Sequence, residues 1–349
     1  MDFPAEADMK WVVTLAPPSA AWEGLPVCRD GCPPTTFPIR HAFAGLAAYG
    51  GLLLADGMNE RGLAAGMLWI DDRPASYNYT DDGRRALTFV DLLPYLLASC
   101  GTVQEALDFM DPTQLQITTD FGDEMYAAMG LEPGKLPQHV SLMDATGDTA
   151  LIEFSTDPEQ PWIKYRNVTV VANDPAYPEQ WLNVKRWEEF TRSPEYQSKQ
   201  NPLTRQGDAV QLPGAYGSIG RFTKLTMLVD LCAEEAPYPT FATWSPAYKD
   251  AQAAPAMPAI AAAQSILASV EKPWAVSRGG KAGSNTIVTM LRAHTLGTYL
   301  LRTPLDPRWR GFNLTAMDWL AREGPGIQKL SLATHASDWW RDLGEAGRM

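Results

Sequence analysis

Short apolar stretches of strand length and longer stretches with a helical repeat succeed one another along this chain, and their order predicts its architecture. Lys10 to Leu15 reads as a strand. The apolar runs Tyr49 to Ala55 and Leu63 to Ile70 flank the turn signal Asp56-Gly57, which predicts a long-looped β-hairpin. Thr88 to Ala98 and Thr102 to Met110 read as two helices, the first bent by Pro94 and stopped at Gly101, the second opened by Thr102 and Glu105 at capping-box spacing. His139 to Phe154 is a second hairpin, its two apolar arms joined by an Asp/Gly-containing turn.

Beyond the β-rich run that ends at Ala172 the pattern turns helical. Trp181, Val184, Trp187 and Phe190 recur at near-helical spacing, and Phe222 to Cys232 is another apolar-faced helix. Ala251 to Val270 is alanine-rich with Pro255 and Pro258 confined to its start, which predicts a loop leading into a helix. From Thr286 to Leu314, three apolar runs separated by Arg292 to Thr295 and by Thr303 to Arg308 predict an antiparallel meander. Segregated sheets and helices with hairpin links argue for an antiparallel α+β layer protein and against a doubly wound α/β fold. No repeat or strong boundary divides the chain. The polar stretch Arg192 to Gly207 reads as an insertion within one domain spanning residues 1–332, and 333–349 reads as a tail.

Composition narrows the function classes. A chain of 349 residues that is 45% hydrophobic can bury a large core. Its longest mainly apolar run, Phe43 to Ala55, contains three glycines and is too short to span a bilayer as a helix, so no membrane role is expected. The formal charge is −12, and no Lys/Arg run is available to neutralise a phosphate backbone, which argues against nucleic acid as a partner. Cys28 and Cys32 are spaced for a loop disulfide, half a metal site or two inert thiols. No second Cys/His pair completes a metal site, and His41, His139, His294 and His335 stand singly, so neither a metal nor a cofactor is expected. The glycine and lysine spacing of Arg278 to Thr286 fails the phosphate-loop pattern. Neither a Gly-x-Ser-x-Gly elbow nor a His-Glu-x-x-His helix is present.

Five stretches, in order, carry a resemblance. They are Met1-Asp2-Phe3; Asp56 to Leu63 with the following Met67-Leu68-Trp69; His139 to Phe154; and Val170 to Pro175 followed by Leu212 to Phe222. Together they resemble the choloylglycine hydrolase and penicillin V acylase family, a branch of the N-terminal nucleophile amide hydrolases. The resemblance runs from the first residue to about Leu332. It implies a four-layer αββα sandwich in which two antiparallel sheets face each other and helices cover both outer surfaces. It also implies a small-molecule amide substrate and, because an excursion near Arg192 to Gly207 helps tetramer assembly in relatives, a homotetramer contact there.

An unactivated amide needs a nucleophile, a proton carrier and donors for the developing oxyanion. The resemblance implies a cysteine nucleophile whose own α-amine is the base, placed just upstream of Met-Asp-Phe together with an arginine; the chain as printed is therefore expected to be essentially inactive. Asp2 matches an aspartate that orients amine and nucleophile; on its own it would read as a solvated terminal acid. Asn173 matches the asparagine whose carboxamide points at the oxyanion, against a plain turn-former before Asp-Pro. Arg221 matches an arginine near the nucleophile that favours thiolate, against a surface arginine at a helix start. Trp69 matches the position whose backbone N–H is the second oxyanion donor, where relatives carry tyrosine or asparagine. Its indole would wall an acyl pocket or simply sit in the core. Asn59 and Glu60 belong to the signature and are expected to shape its loop. The implied reaction is hydrolysis of linear C–N amide bonds in conjugated bile salts, phenoxyacetyl penicillins or N-acyl homoserine lactones, without a choice among them. The alternative is a nucleophile-less pseudoenzyme or small-molecule binder on the same fold. Compartment stays open.

Overall fold

Strands 43–48 and 53–59 are buried at every position, so they lie inside a sheet covered on both faces. The computed structural model of the protein bears this out. It describes residues 2–4, 10–18, 20–29, 31–70, 76–120, 122–123, 126–127, 132–134, 137–199, 212–234, 257–273, 284–304, 306–319 and 326–332. The expected insertion beyond residue 199 with its oligomer contact, most of the 278–286 string and the 333–349 tail lie outside the described residues.

Among the described residues the large sheet has eight antiparallel strands in the spatial order Trp162–Arg166, Thr149–Phe154, Gln138–Met143, Ala64–Trp69, Leu53–Asn59, Phe43–Ala48, Val12–Ala16 and Gln328–Ser331. A three-stranded meander, Thr289–Ala293, Thr298–Thr303 and Asp306–Asn313, forms a second sheet as the sequence predicts. Asp2–Pro4 pairs with Ser284–Thr286. The helices are α1 (Phe89–Ser99), α2 (Val103–Phe109), α3 (Tyr177–Arg192), α4 (Pro194–Lys199), α5 (Ser218–Glu234) and α6 (Met257–Val270).

Side-chain alternation builds the layers. Leu54, Ala65, Met67, Val140 and Ile152 face one way and pack with Leu93 and Leu97 of α1 and Leu107 of α2. Val13, Leu46, Met58 and Ala64 face the other way and meet Tyr299 and Leu301 of the opposite sheet and the adjoining Val288 and Leu314. On the outer side of that sheet, Arg302 donates to Glu271 just past α6 at 2.6 Å, and Lys224 of α5 donates to the Ser269 carbonyl of α6 at 3.2 Å. Helix, sheet, sheet and helix thus stack in the αββα order. No helix among the described residues is long and apolar enough to cross a membrane.

Helices α1 and α2 both open on a threonine cap, the second at its expected capping box. Thr88 Oγ1 accepts the Asp91 N–H, and Thr102 Oγ1 accepts the Glu105 N–H while the Glu105 carboxylate reaches back to the Gly101 N–H at 2.6 Å. One expectation is corrected. Asp56 and Gly57 are not the hairpin turn; they lie in mid-strand, and the chain reverses at 60–63 with Gly62 at φ +86°. The reason is tertiary: a Cβ at Gly57 would meet Leu97 Cδ1 at 2.7 Å, and the Asp56 carboxylate is held by groups of the facing sheet.

The turn itself is built by Asn59, which is wholly buried. Its Nδ2 donates to the carbonyls of Leu97 and Cys100, at 2.8 and 2.7 Å, and its Oδ1 accepts from the N–H groups of Arg61 and Leu63. Asn59→Ala strands four backbone groups, three of them buried, so a loss of about 2–4 kcal/mol is expected in urea unfolding; a loss under about 1 kcal/mol contradicts the account.

Candidate active site

Asn173 follows the buried residues Val170 and Ala172 and precedes a cis Asp174-Pro175 bond. Helix α3 begins four residues later. Gln180, in its first turn and almost wholly buried, donates both amide protons to the loop, to the Asn173 carbonyl at 2.8 Å and to the Asp174 carbonyl at 2.7 Å. Arg221 stands in the first turn of α5, half-buried, next to Phe222. Ala172, Val184 and Phe222 belong to one apolar cluster that Tyr177 and Trp181 complete. Asn173 and Arg221 are therefore each one residue away from the same packed centre.

Trp69 ends the strand 64–69 and pairs with Gln138. Alternation puts its half-buried indole on the side of Ala65 and Met67, the side that packs α1. A role for its peptide N–H is independent of that direction. The strand 2–4 forms a separate two-stranded sheet with 284–286, in which Asp2 pairs with Thr286; the Asp2 side chain lies outside the described residues. Thr286 in turn receives the Lys272 N–H on its hydroxyl at 2.8 Å, which ties this strand to the end of α6.

Two buried polar clusters escaped the sequence reading. Between the sheets, Asp56 accepts a hydrogen bond from Tyr299 Oη at 3.1 Å and an ion pair from Arg292 Nη1 at 3.1 Å. Arg292 and Tyr299 are cross-strand partners, so one register step of the meander supplies both donors. Burial pushes the Asp56 carboxyl above its usual range, opposed by the Arg292 charge and the Tyr299 hydroxyl. Burial, then the Asp56 charge, raises the Tyr299 hydroxyl well above its ordinary value. The second cluster joins His139 Nδ1 to Glu153 Oε1 at 3.6 Å, and the same oxygen accepts the Tyr177 N–H at 2.7 Å. The available signal was alternation: Asp56, His139 and Glu153 each interrupt an apolar run at a position that faces the interior.

The cysteines sort themselves. Cys28 and Cys32 form a disulfide with Cα atoms 5.5 Å apart, which resolves the open reading of their spacing. Cys100 is buried, with its thiol pushed up to about 12 by burial and then by Glu105, the opposite of an activated nucleophile. Among the described residues no group of three or more His, Cys, Asp or Glu could hold a metal ion.

Two facing antiparallel sheets between helical layers, with an Asn before an Asp-Pro bond and an Arg at a helix start around one cluster, define a class. The model of the linear amide C–N hydrolases, choloylglycine hydrolase family, matches residues 1–236, and the chain belongs to that family. It is 26% identical over 176 residues to a penicillin V acylase of Pectobacterium atrosepticum (strain SCRI 1043); the match spans 50% of this chain and 40% of that protein. The penicillin V acylase from Agrobacterium tumefaciens superposes with a TM-score of 0.67 at 21% identity, covering 95% of this chain and 87% of that one. A variant of the conjugated bile acid hydrolase from Clostridium perfringens superposes with a TM-score of 0.68 at 16% identity, covering 95% and 92%. At these identities the two structures show the shared fold.

Proposed function

We propose that the protein hydrolyses the linear amide bond of an acylated small molecule through a cysteine thioester, the cysteine standing upstream of Met1. The observation that carries this is Asn173, a carboxamide on a loop braced by Gln180, within a chain that belongs to a family of amide hydrolases. A carboxamide can donate to a developing oxyanion without gaining or losing a proton, which suits every step of acyl transfer. The Trp69 N–H would be the second donor. Asp2 would orient the α-amine, and Arg221 would favour the thiolate. Penicillin V and conjugated bile acids, which the relatives' names carry, are the first substrates to offer, with N-acyl homoserine lactones as the third class.

The test is amine release from these three classes by protein expressed with its upstream in-frame codons. Asn173→Ala is expected to lower kcat about 10²–10³-fold with KM little changed, the signature of a contact made in the transition state. An undiminished kcat removes Asn173 from the site. The second reading is a binding protein without a nucleophile. It is favoured by the state of Cys28, Cys32 and Cys100, none of which is a reactive thiol. An in-frame stop codon directly upstream of Met1 would decide for it.

A further inference from the structure

An oxyanion hole works only if its two donors keep a fixed separation, and here the donors belong to different elements: Trp69 to the large sheet, Asn173 to the loop before α3. One row of the sheet spans the gap. Leu68, the neighbour of Trp69, pairs with His139, and His139 pairs with Glu153 on the next strand. His139 and Glu153 are each 1% exposed. Both project to the face opposite Val140 and Ile152, away from α1. From there the Glu153 carboxylate takes the Tyr177 N–H at 2.7 Å, one of the orphan donors of the first turn of α3. One turn further, Gln180 closes on the Asn173 and Asp174 carbonyls with both of its amide protons. Helix α3 has no side-chain cap at Ala176, so Glu153 from the sheet does the work a local capping residue would do.

Resting on the reading of Asn173 as an oxyanion donor, we propose that Glu153 and Gln180 are positioning residues: they register the Asn173 loop against the strand that carries Trp69 and so set the spacing of the two donors. Neither touches substrate in this scheme. Gln180 acts through the Asn173 backbone, and Glu153 acts through the start of α3. Loss of the clamp should cost rate, because misplacement of about 1 Å is worth on the order of 10²-fold.

The experiment combines Gln180→Met, which keeps the shape and removes both donors, with Asn173→Ala. Expected are a fall in kcat of about 10–100-fold for Q180M, KM within about twofold, and no further fall when Q180M is added to N173A, since a positioning residue has nothing left to position. A full, additive loss in the double variant overturns the proposal and leaves Gln180 a merely structural residue. An unchanged kcat in N173A alone overturns the Asn173 reading and the clamp with it. On the second anchor, Glu153→Gln keeps an acceptor for the Tyr177 N–H and is expected to retain most of the activity that Glu153→Leu loses; equal losses overturn the role of Glu153. Independently of turnover, ¹⁵N-asparagine labelling reports the Asn173 side-chain amide. In Q180M its resonances should broaden or shift while those of Asn59 stay in place, and an unchanged Asn173 signal in folded Q180M sinks the clamp even if the hydrolase reading stands.

Discussion

Protein whose chain begins at Met1 is expected to release amine from acyl-amide substrates on the order of 10⁴–10⁶-fold more slowly than protein made with the upstream in-frame codons. An unactivated amide does not yield to oxyanion donors alone. Without a nucleophile, what remains is binding and the stabilisation of an oxyanion that forms at the rate of attack by water. Cys28 and Cys32, bonded to each other, and Cys100, its thiol held protonated by burial, offer no substitute. The measurement is amine release by both forms at matched concentration, with thermal melts showing that both are folded. Comparable rates would refute an upstream nucleophile. Inactivity of both forms, with tight binding of substrate, would point to the binding-protein reading.

A second large effect is expected from Arg292→Ala. Asp56 is buried between the sheets with Arg292 as its cationic partner, and removal of one member of such a pair costs about 3–5 kcal/mol. Arg292 is 28% exposed in its side chain, which places the loss toward the lower end. The pH dependence has a definite sign. Folding raises the Asp56 pKa above its ordinary 3.8, so above that value the native state holds more protons than the unfolded chain. Stability from this group is then greatest at low pH and falls as pH rises through the window between the ordinary and the raised value. Without Arg292 the raised value climbs further and the window widens upward. Urea unfolding should therefore show the variant's deficit, relative to the parent, larger at pH 7 than at pH 5. Asp56→Asn in the same background should recover much of it by removing the charge. A deficit equal at both pH values, or unrelieved by Asp56→Asn, would mean that Arg292 contributes through packing alone.

Much of this fold was legible in local pattern. Thr102 with Glu105 is a signal that acts within four residues, and the structure uses both as capping groups. The meander after residue 286 was equally plain, because strands buried on one face must alternate. Asp56-Gly57 was misread for the same reason that the local rules succeed elsewhere: an Asp-Gly pair favours a turn only while nothing distant competes. Here Tyr299 and Arg292, more than 230 residues away along the chain, hold the carboxylate in an extended strand.

The candidate site divides along that line. Asn173, Arg221, Trp69 and Asp2 could be named from ordered motifs, because a family signature is a property of the string. Their supports could not. Glu153 bears no spacing relation to Asn173, and it reaches the start of α3 only because the strand register aligns residue 68 with 139 and 139 with 153. Gln180 lies only seven residues along the chain, but no motif marks it, and its role follows from the buried turn that folds it back onto the loop. Periodicity and caps specify which segments become strands and helices, since those preferences are local free energies of a few residues. Which buried charge finds which donor depends on sheet register and layer packing, where contacts between distant segments outweigh any local preference.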